Sequence, residues 1–437
     1  MKNSKSVFPA LVILTGAFLV PVNSTMISIG LSSMQETFQT SLSTITWIVT
    51  IYLIIMTVTQ PLAGKLGDLY GNKNMFLLGL VLFFLASLVC IYAPNLTVLM
   101  IGRACQAIGG ALITPNGTAI IRYVTPKEQL PKIFGLFGLV MSLGAALGPM
   151  IGAFLIHIWN WQSTFWINVP LAVVSFVLAA KLLPATTRKK SKLDLFGSLY
   201  LGIFLTTIVL IVTKSLYTNI WLWALFAVTL VLFVVRERRY QYSLIDFQLF
   251  KVASFRSANI SILLNNAIMY CTLLIMPIVL VKASGYSLNT IGTLLFVFSL
   301  SISFASWLGG NMTAKRGARA IIGLSFICSA LSLALYFFLP TASHVIIAGL
   351  ILFIAGIGSG LGVPAMQSEN LSEVPKEMSG VASGIYSTFR YIGSTAASVI
   401  IGLQVSFNIT VWILIILAFI GIFVSKGFNV KGERKTI

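Results

Sequence analysis

The sequence predicts an all-α polytopic membrane protein, and three observations carry that expectation. Charged residues make up only 9% of the 437-residue chain, against about 25% in soluble domains. Hydrophobic residues reach 57%, with 30 Phe, and the mean hydropathy is +0.97. The apolar residues also gather into runs of about 20, the length at which an α-helix crosses a bilayer core. No ordinary soluble surface can be built from so few charges. Collagen-like, disordered and disulfide-stapled chains are excluded as well, because the 35 Gly have no triplet period and the 4 Cys are scattered through apolar stretches.

In chain order the runs lie near residues 8–30, 44–64, 75–93, 96–121, 132–156, 164–183, 195–213, 219–235, 257–281, 288–312, 320–339, 344–366, 378–402 and 408–425. The first has no small-residue cleavage site after a short apolar core, so it reads as a retained helix rather than a signal peptide. Fourteen spans would put both chain ends on one side of the membrane. The cations say which side. Lys65 and Lys73 after span two, Arg188 to Lys190 after span six, Lys315, Arg316 and Arg319 after span ten and the terminal lysines all fall together, and only Lys214 and Lys282 fall opposite. The positive-inside rule therefore predicts cytoplasmic termini. It also accounts for the net charge of +19 without a nucleic-acid partner. The expected division is a six-helix bundle over 1–187, two inserted helices over 188–250, and a second six-helix bundle over 251–437.

Span two leads into Gly64-Lys65-Leu66-Gly67-Asp68-Leu69-Tyr70-Gly71-Asn72-Lys73, and span ten into Gly310-Asn311-Met312-Thr313-Ala314-Lys315-Arg316-Gly317-Ala318-Arg319. A shift of 246 positions superposes Gly64 on Gly310, Gly71 on Gly317 and Lys73 on Arg319, with Asp68 falling on Ala314. Two halves thus look duplicated, the organisation of transporters that rock about a central site. In the first copy Asp68 can cap a helix start or pair with a cation, which makes the turn a candidate gate.

Span four carries Arg103-Ala104-Cys105-Gln106, and a cation there should face a partner or polar cavity rather than lipid. Span five carries Gly144, Gly148, Pro149 and Gly152, small residues every fourth position that permit close helix approach, with a proline that frees a carbonyl.

With these motifs the chain resembles the major facilitator superfamily, and its fourteen runs resemble the drug:proton antiporter branch of bacterial multidrug efflux pumps. The turn after span two matches at Gly64, Leu66, Asp68, Gly71 and Lys73. Span four matches at Arg103, Gln106, Gly109 and Ala111, and span five matches the antiporter motif at Gly144, Gly148, Pro149 and Gly152. Further matches are Trp47 to Tyr52, Phe165 to Pro170, Pro277 with Gly285-Tyr286-Ser287, and Gly380 to Gly384 leading to Arg390. The resemblance implies a major facilitator fold and export coupled to protons.

One position departs from that pattern. The branch places a carboxylate in span one where this chain reads Val22-Asn23-Ser24-Thr25, and Asn23 cannot titrate. None of the ten acids falls at an expected midplane. Proton coupling is therefore expected to run through Glu36 with His157 nearby, through Asp68, or through Glu369 if the glycine-rich helix before it is broken, with Arg103 as a charge partner. Asn23, Trp47, Tyr52, Gln106, Asn265, Asn266, Tyr270 and Phe296 are candidates to line a mainly apolar drug cavity. Two His and no buried acid pair give no metal or general acid–base constellation, so no enzyme activity, cofactor or metal is expected. The expected partners are amphipathic drugs, protons and the lipid bilayer, with the chain a monomer. The rival expectation is a lipid flippase or single-metabolite exporter on the same scaffold.

Overall fold

The computed structural model describes residues 4–186, 188, 193–213, 216, 218–240, 247–284, 286–339, 344–402 and 406–428. Among them there is no strand. The first helices are α1 (Ser4–Phe38), the short α2 (Leu42–Ile45), α3 (Trp47–Tyr70), α4 (Asn72–Ile91), α5 (Leu96–Val124) and α6 (Leu130–Ile158). The short α7 (Ser163–Trp166), α8 (Asn168–Leu182), α9 (Leu195–Thr213) and α10 (Ile220–Arg239) follow. The remainder is α11 (Ala253–Ser284), α12 (Leu288–Arg316), α13 (Ala318–Tyr336), α14 (Val345–Leu361), α15 (Val363–Ser372), α16 (Ser379–Gly402) and α17 (Phe407–Val424). Helices are what a chain in lipid must form, because each backbone group is then satisfied within its own segment.

Helices occupy all fourteen expected places, and twelve of them are long and apolar enough to cross a membrane. The other two are α9, a 19-residue helix whose described apolar stretch is Leu195–Ile208, and α16. In α16 the run is diluted by Ser383, Ser387, Thr388, Arg390, Ser394 and Thr395. Polar side chains bonded to the first amides set several starts: Asn95 accepts from Val98 N at 3.0 Å before α5, and Ser287 accepts from Thr290 N at 3.2 Å before α12.

The glycine-rich helix before Glu369 is broken, within span twelve. Gly362 separates α14 from α15, and Pro364 lies in the first turn of α15. The Ser325 hydroxyl bridges the break, donating to Gly358 O at 2.6 Å and accepting from Gly362 N at 3.1 Å. The Gly360 carbonyl, which Pro364 leaves without its helical donor, accepts from Ser306 Oγ at 3.2 Å.

The chain forms two compact units. Unit 1 comprises Met1–Pro126, Gly144–Phe247 and Pro375–Thr388, and unit 2 comprises Lys127–Leu143, Gln248–Val374 and Phe389–Ile437. Two helices, α6 and α16, are divided between them. Unit 1 has an apolar core of Ile27, Met34, Ile48, Leu99, Trp161 and Phe165 among others. Unit 2 packs Ala305, Ile321 and Leu361 together, and small residues bring its backbones close: a Cβ on Gly360 or Gly356 would strike the carbonyl of Ile302 or Phe298.

Candidate functional site

The repeated turns are built alike. Gly71 and Gly317 take φ of +96° and +87°, and among the described residues they are the glycines in that region. A side chain there would be strained, so glycine lets one helix stop and the next begin at once. In both turns the glycine N–H closes the preceding helix at 2.8 Å, onto Gly67 O and Thr313 O.

Upstream of each turn, a glycine packs at backbone distance against another helix of its unit. In unit 1, Gly64 of α3 lies on the start of α16, where a Cβ would collide with the Gly380 carbonyl and come within 3.3 Å of Gly384 Cα. In unit 2, Gly310 of α12 lies on the start of α6, where a Cβ would strike the Pro131 carbonyl and reach Gly135 Cα at 2.8 Å. Asp68 adds chemistry to the first crossing. Its carboxylate is 3% exposed and accepts from Gly380 N and Val381 N, each at 2.8 Å. These are free amides at the N-terminus of α16, so a carboxylate there gains charge-assisted hydrogen bonds and a favourable helix dipole. Lys73 anchors the other side of the turn, donating to Ala180 O at 2.9 Å and Leu183 O at 2.6 Å at the C-terminal end of α8. Arg319, its counterpart, is half-buried and has no ion pair among the described residues.

The span-five motif forms a seam on α1. A Cβ on Gly144 would meet Phe18 and Pro21 at 3.1 Å, one on Gly148 would collide with the Thr25 hydroxyl, and one on Gly152 would lie 2.7 Å from Met26 Cγ. The helix runs through Pro149 without interruption.

Next to that seam lies a buried polar network. Arg103 is 0% exposed. It donates from Nη1 to Gln106 Oε1 at 2.8 Å, and its guanidinium lies 4.2 Å above the Tyr52 ring. Gln106 donates onward to Ser87 Oγ at 2.8 Å. Asn23 is equally buried and accepts from Asn168 Nδ2 at 3.0 Å. Among the described residues Arg103 Nη2 has no hydrogen-bond partner. Ion pairs among the described residues are Lys127 with Glu373 at 2.9 Å and Arg236 with Asp194 at 3.0 Å, so Arg103 has no carboxylate partner there.

The other expected residues are dispersed. Glu36 and His157 are exposed, and no hydrogen bond or ion pair joins them. Glu369 is half-buried on α15 and accepts from Ser372 Oγ at 3.3 Å. Trp47 is half-buried at the start of α3. Tyr270 and Phe296 are exposed and lie outside the pocket of unit 2. Asn265 and Asn266 line that pocket, which holds about 440 Å³ of space with its open mouth included. Asn265 donates to Ser359 O at 2.9 Å and Asn266 to Ile262 O at 3.1 Å.

Two features were not anticipated. Gln367 shares the pocket with the two asparagines, and no motif singled it out. Asp194 ties α9 to α10: its buried carboxylate accepts from Arg236 Nε at 3.1 Å, and that guanidinium lies 4.3 Å from the Tyr240 ring centre. Their 42-residue separation hid the pair, although a lone acid beside an apolar run was the available signal.

The Major Facilitator Superfamily model matches residues 13–398, and the chain belongs to that superfamily. It is a multi-pass bacterial membrane protein of a transporter family. Among similar proteins, the uncharacterized MFS-type transporter YvkA of Bacillus subtilis is 45% identical over 95% of each chain. The multidrug resistance protein Stp of Mycobacterium tuberculosis is 29% identical, over 89% of this chain and 73% of Stp. The structure of the proton:xylose symporter XylE superposes with a TM-score of 0.70 at 15% identity, over 98% of this chain and 96% of XylE, a likeness of fold alone.

Proposed function

We propose that this transporter is a proton-driven antiporter that exports amphipathic drugs and dyes from the bacterial cytoplasm. Its scaffold in this reading is two six-helix bundles, 1–187 and 251–437, with the helices of 188–250 inserted, and fourteen crossings that leave both termini cytoplasmic. The observation that carries the reading is the Gly144–Gly148–Gly152 seam against α1, the geometry of the motif that marks exporters in the resemblance drawn above. The similarity to Stp supports a drug substrate.

Coupling needs a group that exchanges a proton, since each proton crossing 100 mV contributes about 2.3 kcal/mol. Asn23 cannot serve. Asp68 is the best placed of the three acids, because its negative charge holds the start of α16, and protonation would weaken both bonds at once. Loss of that hold frees α16 from α3, and the glycine contacts there let the helices part without unpacking side chains. Glu36 and Glu369 are the alternatives.

Dye uptake into inverted membrane vesicles tests this reading. Uptake should follow energisation, collapse with an uncoupler and fall when Asp68 is neutralised. Uptake that ignores the uncoupler would refute proton drive, and lipid or single-metabolite movement without dye movement would favour the rival. Asn23→Asp should widen export toward dications, by restoring a carboxylate in span one; an unchanged spectrum would contradict that.

A further inference from the structure

We propose that the pocket of unit 2 receives the anionic end of an amphipathic substrate, with Arg390 as the group that holds it. The inference deepens the exporter reading and rests on it for transport, though not for binding.

The argument begins with what Arg390 lacks. It lies on α16 in the pocket wall, half-buried. Among the described residues its guanidinium has no carboxylate, carbonyl or aromatic ring against it. A guanidinium offers five donors in a planar fork that matches carboxylate, sulfonate or phosphate. Leaving that fork half-buried and unmatched is unfavourable, and an anionic ligand relieves it. The lining contains none of the chain's acids. Glu369 is on the same helix as Gln367, but lies about 200° further around it.

The remaining polar groups are neutral: three serines and three amides, two of the amides with capacity to spare. Gln367 is 7% exposed and its amide has no hydrogen-bond partner among the described residues. Asn266 is 2% exposed, and its Oδ1 has no donor. An anion on Arg390 would therefore sit beside groups that can orient a neighbouring N–H or hydroxyl. The apolar part of the wall is adaptable, with Met141 and Met269 among it. The enclosed space is about 40 Å³, room for a compact head group alone, so in this proposal the apolar part of the ligand lies at the open mouth. A cationic drug would meet like charge and no counter-ion here, so charge alone discriminates against it.

The test is equilibrium dialysis of the purified protein in lipid nanodiscs, with empty nanodiscs subtracted. Its probes are 1-anilinonaphthalene-8-sulfonate and the neutral N-phenyl-1-naphthylamine, which share a ring system and differ by the sulfonate. Arg390→Gln should weaken sulfonate binding about tenfold or more and leave the neutral compound within about twofold. Arg390→Lys should fall between. Retained binding of the neutral compound shows that the pocket is intact. Equal change for both compounds, or none for either, overturns the proposal, as does tighter binding of ethidium than of the sulfonate. Flux of the sulfonate in proteoliposomes is measured alongside. Binding without flux of any dye would refute the exporter reading and leave the charge preference standing.

Discussion

The two turns that share a backbone do not share a chemistry. Gly71 and Gly317 adopt nearly the same conformation, and Gly64 and Gly310 each press against a partner helix at backbone distance. Asp68 then fastens its partner through two charge-assisted bonds, whereas the matching residue in the second turn is Ala314, which has no carboxylate to offer. The duplicated part is geometry and the unduplicated part is charge. A contact made by glycine packing has one strength at every pH. One made by a carboxylate can be weakened by a proton. If Asp68 is the coupling group proposed above, the switchable crossing is that of α3 with α16 and the constant one that of α12 with α6.

The comparison can be broken most severely at the shared glycines. Gly64→Val and Gly310→Val each drive a side chain into a backbone carbonyl that cannot move aside, and each should cost about 3 kcal/mol or more. Export rate and the yield of monodisperse protein should fall together in both, and a mild effect at either site would show that its crossing is loose. Asp68→Asn comes next. It removes the charge from two buried bonds and should lower export about tenfold, while Ala314→Asp in the same background should restore nothing. Recovery by that second change would mean the crossings are interchangeable.

Smaller effects sharpen the shared geometry. Gly71→Ala and Gly317→Ala should each cost about 1–2 kcal/mol for the positive φ, by an equal amount within error, as read by thermal unfolding in detergent. Unequal costs would separate the two turns in backbone strain as well as charge. The weakest change is Lys127→Ala. Its ion pair with Glu373 joins side chains that are 27% and 39% exposed, so the loss should be at most about 1 kcal/mol, and a large drop in unfolding temperature would contradict that.

Much of this was legible in the sequence because it rests on local rules. The 246-residue shift located both positive-φ glycines, and glycines every fourth position located the seam of α6 on α1. The fourteen apolar runs located the helices. What stayed hidden depends on distance in the chain or on a missing group. The partners of Asp68 lie 312 and 313 residues away, beyond any local pattern. The isolation of Arg390 is a matter of what does not approach it. Arg103, expected to face a partner or polar cavity rather than lipid, rests on Tyr52 and Gln106, the first of them 51 positions away in the sequence. Among the described residues twelve helices meet the length and apolarity of a span; α16 does not, since it spends its composition on hydroxyls, Arg390 and close-packed glycines.

The switch at Asp68 can be measured directly. Spin labels at Tyr70→Cys and Glu377→Cys, both exposed positions of unit 1, in a background with Cys90, Cys105, Cys271 and Cys328 replaced, report the separation of α3 from the start of α16. The account predicts one short distance with the native carboxylate and a second, longer population in Asp68→Asn. Superposable distance distributions in the two proteins would contradict it.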